Sequence, residues 1–245
     1  PFFLYLAYTA PHSPFQGPDD YDPQPLRLDS PLWNQGSAKP ETYRAMIERM
    51  DQRIGDVLAV LETKGIAENT LVIFASDNGG TKSARNAPFS GYKGSTYDGG
   101  VRVPAIARWT NSLPAGIEST QPCITFDFTK SIANLASATP APEAPFDGID
   151  IIDHVMKGNP DTPRTLYWRK QRGDNIWLGI RQGDLKYIAN VRAGEPQEYL
   201  FDIKKDIPEE NNLIEARPEA YERLKHQYQD WEHKVRKNRR GQAEK

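Results

Sequence analysis

The sequence predicts an α/β fold in which a mostly parallel sheet is flanked by helices and followed by a small antiparallel β-meander and a C-terminal helix. Three observations predict it. Short apolar runs alternate with an amphipathic helical pattern in the first part of the chain, four short strand-like segments follow, and a long amphipathic pattern comes last. We place a domain boundary near Pro160, so that residues 1–160 form the larger domain and residues 161–245 the smaller one.

Composition indicates a globular protein. The 245 residues are 38% hydrophobic and 26% charged, and the formal net charge is -2. This balance argues against a generic nucleic-acid binder and against a polybasic membrane-binding protein. The single cysteine, Cys123, excludes a disulfide framework within the chain and a cysteine-based zinc cluster. No apolar run reaches the roughly 18 residues that a membrane span needs, so we expect neither a membrane span nor a nucleic-acid partner.

The first elements follow from apolar patterning and prolines. Residues 1–8 form a continuous aromatic-rich apolar run, typical of a strand buried on both faces of a parallel sheet. Such a strand needs neighbours at both edges, so we expect upstream strands and interpret the chain as a fragment of a longer protein. A proline-rich loop is predicted over residues 9–40. Apolar residues at spacings of three and four then predict a helix over residues 41–64, which Gly65 ends.

Two further strands and a helix are predicted in the larger domain. Residues 70–76 read as a second buried strand, and residues 101–109 as a third, in which Pro104 favours an edge or a bulge. A glycine-rich segment without clear periodicity separates these two strands. Residues 128–138 predict a helix.

The smaller domain is predicted to be an antiparallel meander, because its short strands follow one another with turn residues between them. A helix with aromatic side chains on one face follows the meander. These elements cover residues 165–170, 175–181, 185–191, 198–203 and 218–237.

Polar motifs lie in loops beside the predicted strands, and ligands of open parallel α/β sheets bind beyond the carboxyl ends of the strands. His12 lies between two nearby prolines and suits acid–base chemistry near neutral pH, with a packed loop histidine as the alternative. Asp77 and Asn78 directly follow a strand and offer hard oxygen ligands for Ca²⁺ or Mg²⁺. The alternative for this pair is a plain Asp-Asn-Gly turn.

Lys93 is the third candidate. It lies in a glycine-rich loop, where an ammonium group and exposed backbone N–H groups can approach an anion closely. The alternative is an exposed lysine on a flexible loop. Together, a divalent ion, a lysine and a histidine form a site suited to attack on a sulfate or phosphate ester, in which negative charge builds on the ester oxygens.

The order of these motifs resembles the C-terminal portion of a type I sulfatase of the alkaline phosphatase superfamily. The resemblance covers nearly the whole chain, and its most specific parts are the Ser-Asp-Asn-Gly motif and the segment from Lys93 to Pro104. Asp98 stands where the family usually has Glu. The matching pieces are residues 1–6 with 10–12, 50–55, 74–79, 91–104, 147–150 and 199–202 with Asp206, Glu209, Asn212 and Leu213.

The resemblance implies an alkaline-phosphatase-like fold that is incomplete in this chain. It implies hydrolysis of a carbohydrate or aryl sulfate with one calcium ion and a formylglycine nucleophile. It also implies that Asp77 and Asn78 bind the calcium ion, that Lys93 holds a sulfate oxygen, and that His12 contacts the sulfate or protonates the leaving alcohol. Members of the family are usually periplasmic or secreted, so the resemblance implies such a location for this protein.

The nucleophile motif of the family, Cys/Ser-x-Pro-x-Arg, is absent from this sequence. Cys123 is followed by Ile-Thr-Phe, so we interpret it as a structural cysteine. We therefore expect the nucleophile upstream of Pro1 and expect no turnover by this chain alone.

Two alternatives stay open beside the sulfatase. One is a phosphodiesterase or phosphonate hydrolase of the same superfamily, which typically carries further Asp and His ligands for a second metal. The other is a non-catalytic sulfatase-like binding protein. The single His12 and the Asp77–Asn78 pair favour the sulfatase. Tryptophans could also line a carbohydrate cleft, but for Trp168, Trp177 and Trp231 we favour packing between the meander and the parallel sheet.

Overall fold

The computed structural model describes residues 1–20, 26–34 and 36–243. The chain forms two compact units. The predicted domain boundary near residue 160 lies inside the second unit, and as a domain boundary it stays a prediction. The first unit comprises Pro1–Ile73, Gly80–Arg85 and Ala107–Ser112, and the second comprises Phe74–Gly79, Asn86–Ile106 and Leu113–Lys245.

Helix α1 (Pro40–Thr63) is the main element of the first unit and matches the predicted helix. Proline is favoured in the first turn of a helix because the N–H that it lacks would have no partner there. Met46 and Leu61 bury the apolar face. Gly65 adopts a φ of +64° and ends the helix, a conformation that costs glycine little.

Residues 1–8 form no strand, so the predicted buried strand is wrong. The side chains of Phe3 and Tyr5 are 73% and 80% exposed. A strand needs a neighbouring strand to satisfy its backbone groups, and no described segment pairs with residues 1–8. The loop that follows matches the prediction apart from a short 3₁₀ helix at Pro31–Asn34. Part of that loop, residues 21–25 and 35, lies outside the described residues.

Strands β1 (Val72–Ala75) and β2 (Ala105–Arg108) pair in a two-stranded sheet. Both are shorter than predicted. The segment before β2 differs because Asp98–Val101 forms a short helix, α2, which ends where the sequence predicted the strand to start. Pro104 has no N–H to donate, but its carbonyl oxygen accepts a hydrogen bond from Ser76 N at 3.4 Å.

Helices α3 (Thr125–Leu135) and α4 (Ile151–Met156) lie in the second unit, and only α3 was predicted. Buried Asp127 joins them, because its carboxylate accepts hydrogen bonds from the backbone N–H groups of Ile124 and Ile149 at 2.8 and 2.9 Å. Arg164 adds a bidentate ion pair to the same carboxylate at 2.6 and 3.0 Å. One buried side chain therefore fixes the start of α3 and the approach to α4.

The predicted meander is confirmed as an antiparallel sheet of β3 (Thr165–Arg172), β4 (Asn175–Gln182), β5 (Leu185–Arg192) and β6 (Glu195–Asp202), in that order. Each pair of neighbouring strands is joined by a tight turn that contains a glycine at positive φ. These φ values are +57°, +61° and +86°, at Gly173, Gly183 and Gly194.

Helix α5 (Pro218–Ala243) packs on one face of the meander, which we call the helix face. Ile180, Leu200 and Leu224 are fully buried there. The rings of Tyr167 and Trp231 stack with centroids 4.6 Å apart, so Trp231 packs between α5 and the meander and not, as predicted, between the meander and the other sheet. We call the opposite side, which carries Lys186, Ile188 and Phe201, the loop face. No helix within the described ranges is both long and apolar enough to cross a membrane.

Candidate functional site

Asp77 and Asn78 follow β1 after one intervening residue, Ser76, close to the predicted position at the end of the strand. The Ser76 hydroxyl donates to the Asn78 carbonyl at 2.9 Å, and the Asn78 side-chain amide donates to the Gly79 carbonyl at 3.0 Å. The Asn78 side-chain oxygen and the exposed Asp77 carboxylate accept no hydrogen bond from the described residues. Two hard oxygen donors are thus left for a cation, whereas calcium takes about six to eight. No group of three or more His, Cys, Asp or Glu side chains in the described ranges could hold a metal ion.

Glycines bring this segment into contact with residues 90–100, which we call the lysine loop. Gly79 N donates to Gly100 O at 3.0 Å, and Gly99 N donates to Ser90 O at 2.8 Å. A Cβ atom at Gly79 would lie 1.9 Å from Gly99 O, so a larger residue would separate the two segments. The backbone that carries Asp77 and Asn78 is therefore held against the loop that carries Lys93.

Lys93 is half-buried within the lysine loop. Gly91 and Gly94 near it adopt φ values of +81° and +93°, which are strained for other residues. In the part of the chain that the structure describes, the Lys93 ammonium makes no hydrogen bond or ion pair. A partly desolvated ammonium without a carboxylate partner attracts an anion more strongly than an exposed one.

His12 is exposed and belongs to the first unit, whereas Asp77, Asn78 and Lys93 belong to the second. Its Nδ1 lies 2.8 Å from the Ser13 carbonyl oxygen, an arrangement that assigns the ring proton to Nδ1. Nε2 then carries a lone pair and can exchange a proton. The predicted meeting of His12 with the other three residues stays a prediction.

Cys123 lies just before α3 and donates weakly to the Ile124 carbonyl at 3.7 Å. Although the residue is exposed overall, desolvation of its thiol and the charge of Asp127 raise its pKa to about 12. A thiol that stays protonated at neutral pH is a poor nucleophile, and the structural role of Cys123 stays a prediction.

A buried ion cluster lies behind the lysine loop, and sequence reasoning missed it. Lys186 of β5 is fully buried, and its Nζ lies 2.5 Å from Asp98 Oδ1 and 2.9 Å from Glu209 Oε1. Asp98 and Glu209 are motif positions of the family resemblance, whereas no quoted motif contains Lys186. Alternation gave no signal for it, because Lys186 alternates with the apolar residues Leu185 and Tyr187 and shares its face with polar residues such as Asn190, as a solvent-facing lysine would.

The chain is similar to one known protein family and to several known proteins. Residues 1–138 match the family model described as Sulfatase. The chain is 32% identical over 192 residues to N-acetylgalactosamine-6-sulfatase of Canis lupus familiaris. The aligned region covers 76% of this chain and 34% of that protein. It is 28% identical over 250 residues to a sulfatase of Formosa agariphila, which covers 89% of this chain and 43% of that protein.

Solved structures agree with this result. The crystal structure of Ps i-CgsB in complex with k-i-k-neocarrahexaose superimposes with a TM-score of 0.79 at 31% identity, over 94% of this chain and 50% of that one. The sulfatase-like α/β fold expected from the sequence is therefore confirmed. The chain spans about a third to a half of the length of the relatives that it matches.

Proposed function

Because the chain belongs to the sulfatase family, we propose that the full-length protein hydrolyses a sulfate ester and that this chain supplies the lysine that binds the sulfate. The observation that carries the proposal is the half-buried Lys93, which has no described partner and whose loop is held against the Asp77–Asn78 segment. Sulfate presents oxygens that carry negative charge throughout the reaction. An ammonium fixed beside them neutralises part of the charge that grows in the transition state.

A calcium ion fits the side chains of Asp77 and Asn78. One is a carboxylate and the other an amide oxygen, both typical calcium ligands, and neither is occupied by a described donor. The remaining ligands would come from outside this pair. When bound, a calcium ion would polarise the sulfate, and a formylglycine hydrate from a portion absent from this chain would supply the nucleophile.

His12 has one of two roles in the proposal. With its proton on Nδ1, its Nε2 can take up a proton and then, as the charged imidazolium, donate it to the leaving alcohol. Alternatively, His12 holds the sulfate without transferring a proton.

A sulfated carbohydrate is the proposed substrate class. Two relatives support it by name, one as an N-acetylgalactosamine-6-sulfatase and the other as a structure solved with neocarrahexaose. Because sulfated polysaccharides lie outside cells, we propose that the protein is periplasmic or secreted.

The proposed activity is tested with full-length protein and three substrates: a sulfated galactose-containing oligosaccharide, an aryl sulfate and an aryl phosphate diester. We expect sulfate release from the oligosaccharide and from the aryl sulfate. Hydrolysis of the diester alone would support the phosphodiesterase alternative. Turnover of none of the three would contradict the proposed sulfatase activity.

Calcium retention tests the role of Asp77. The full-length Asp77→Ala variant should retain less calcium than the wild type after dialysis, as measured by elemental analysis. Asp174→Ala, in an exposed turn of the meander, is the matched control and should retain the wild-type content. Equal calcium in both variants would contradict the assignment.

The leaving group separates the two roles of His12. If His12 protonates the leaving alcohol, His12→Ala should slow a carbohydrate sulfate far more than a nitrophenyl sulfate, whose leaving group needs no proton. An equal loss on both substrates would instead assign His12 to sulfate binding. No loss on either would remove it from the site.

A further inference from the structure

Lys186 occupies an unusual position for a lysine, because its side chain is fully buried. Its ammonium contacts the carboxylates of Asp98 and Glu209, which are themselves buried. Glu209 also accepts a hydrogen bond from the backbone N–H of Asp98 at 2.6 Å. The three side chains therefore join β5, the segment after β6 and the end of the lysine loop through contacts within one compact unit.

Charge balance in this cluster is nearly complete. Lys186 faces two carboxylates, and the Arg102 guanidinium lies 3.5 Å from the second oxygen of Asp98. Arg102 in turn lies over the ring of Phe89, 4.7 Å from its centroid. A gain in stability is not required to explain such a cluster, because apolar side chains of similar volume often stabilise a core equally well.

Strain at Glu209 also points to a positional role. Its φ is +55°, a left-handed conformation that is unfavourable for a residue with a side chain. Asp206 fixes this turn by accepting hydrogen bonds from the backbone N–H groups of Glu210 and Asn211 at 3.2 and 2.8 Å. The chain thus holds a strained residue in place so that both oxygens of its carboxylate reach their partners.

The cluster acts where the lysine loop meets its neighbours. Asp98 begins α2, and the two glycines that follow make the contacts with Gly79 and Ser90 described above. Lys93 precedes Asp98 by five positions in the same loop. Fixing Asp98 therefore fixes the backbone that leads to Lys93 on one side and the segment of Asp77 and Asn78 on the other.

Other contacts of the loop face hold the same loop. Lys170 Nζ donates to the Gly94 carbonyl at 3.4 Å. The ring of Tyr97 lies 5.9 Å from that of Phe201 and 6.2 Å from that of Tyr199. The meander therefore contacts the lysine loop at two points, Gly94 and Tyr97.

We propose that Asp98, Lys186 and Glu209 are positioning residues, which hold the lysine loop in the geometry in which Lys93 binds sulfate. The C-terminal meander then acts on the site through the position of the lysine loop. This inference rests on the proposed role of Lys93. It differs from a merely structural role because the effect on turnover passes through Lys93.

A double-mutant cycle in the full-length protein tests the inference. The variants are Lys186→Met, Lys93→Ala and the combination, assayed for sulfate release at a temperature at which circular dichroism shows all of them folded. Lys186→Met alone should lower kcat/KM by about 10-fold to 100-fold, as expected for a misplaced binding group. In the Lys93→Ala background, the same substitution should change kcat/KM by no more than about twofold, because the residue through which it acts is gone.

The outcomes of the cycle separate a failure of the positioning role from a failure of the proposed function. If Lys93→Ala lowers kcat/KM but Lys186→Met does not, the positioning role is overturned while the proposed function stands. If Lys186→Met costs the same factor in both backgrounds, its role is merely structural. If Lys93→Ala has no effect on turnover, both the proposed role of Lys93 and this inference are overturned.

Two further variants keep the inference testable if Lys186→Met does not fold. Glu209→Gln keeps the shape of the side chain and an oxygen for the Asp98 N–H, and it should follow the same cycle if Lys186→Met does not fold. Asp98→Glu keeps the charge and should retain at least about a third of the wild-type kcat/KM, since small shifts are better tolerated than an unpaired buried charge. Loss of activity in Asp98→Glu as large as in Lys186→Met would overturn the ion cluster as the cause.

Hydrogen exchange supplies the second readout, with a control from the other face. In Lys186→Met, the amides of residues 91–100 should exchange at least about tenfold faster, because the loop opens locally more often. Arg169→Met breaks the 2.6 Å ion pair with Glu232 on the helix face and should change neither this exchange nor kcat/KM. Unchanged exchange of the lysine loop in Lys186→Met would contradict the inference.

Discussion

The two faces of the four-stranded sheet are buried by different kinds of interaction. The helix face packs apolar residues such as Ile180, Leu200 and Leu224 against α5. The loop face buries Lys186 with two carboxylates against the lysine loop. Apolar packing is strong but non-directional, whereas an ion cluster specifies where each partner must lie. The two faces of one small sheet therefore have different roles. The helix face stabilises the unit, and the loop face positions the lysine loop.

The largest stability effect should follow from breaking the ion cluster. Lys186→Met leaves two buried carboxylates without their cation, and the free energy of unfolding should fall by about 3–5 kcal/mol. Urea denaturation followed by circular dichroism measures it. The triple variant Asp98→Asn, Lys186→Met, Glu209→Gln removes all three charges and should regain most of that loss. A triple variant less stable than Lys186→Met would contradict the electrostatic explanation.

Truncation on the helix face should cost slightly less and should act differently. Leu200 is fully buried there, so Leu200→Ala should lower the free energy of unfolding by about 3 kcal/mol. Exchange of the lysine loop and kcat/KM should stay at wild-type values under conditions that keep the variant folded. A change in loop exchange as large as in Lys186→Met would remove the distinction between the faces.

A smaller, pH-dependent effect is expected at Glu198, on the helix face. Desolvation opposes its charge, but hydrogen bonds from Tyr187, Lys225 and Tyr221 outweigh it and lower the pKa of Glu198 below its ordinary value of 4.5. A lowered pKa in the folded state gives stability that is fully present above about pH 4.5 and lost as the pH falls through the lowered pKa.

The comparison with Glu198→Gln measures this contribution. The difference in free energy of unfolding between wild type and variant should shrink as the pH falls from 5 to 3, measured by urea denaturation at each pH. Glu195→Gln, on an exposed position of the same strand, should show no such trend. A difference that stays constant over this range would contradict the direction of the pKa shift.

The smallest effect should come from the partly exposed ion pair of the helix face. Arg169 and Glu232 are each 24% exposed, and solvent screens their attraction. Arg169→Met should therefore lower the free energy of unfolding by only about 0.5–1 kcal/mol. A loss as large as that of Lys186→Met, measured in the same denaturation experiment, would contradict this explanation. It would show that the partly exposed ion pair stabilises the protein as much as the buried cluster does.

Local patterns predicted the meander and α1 well. Each meander strand pairs with the strand next to it in sequence, so alternation and glycine turns contain nearly all the necessary information. Residues 1–8 have the same strand-like composition but no described pairing partner, and composition cannot reveal that. The four-residue α2 contains two glycines and gives no helical signal.

The candidate site was predicted in part for the same reason. Asp77, Asn78 and Lys93 lie in short motifs that are visible in the sequence. The partners of Lys186 lie 88 and 23 positions away from it, so no local pattern could reveal the ion cluster. The strand pattern does not mark Lys186 as buried either, because Asn190 and Arg192 lie on the same face of β5.

Sulfate release by the full-length Lys93→Ala variant tests the central claim most directly. We predict that kcat/KM for an aryl sulfate falls by at least about 100-fold, as when one donor to a charged transition state is removed. The melting temperature should stay unchanged, and Lys205→Ala, which removes an exposed lysine of the same unit, should keep full activity. A Lys93→Ala variant that releases sulfate as fast as the wild type would contradict the account.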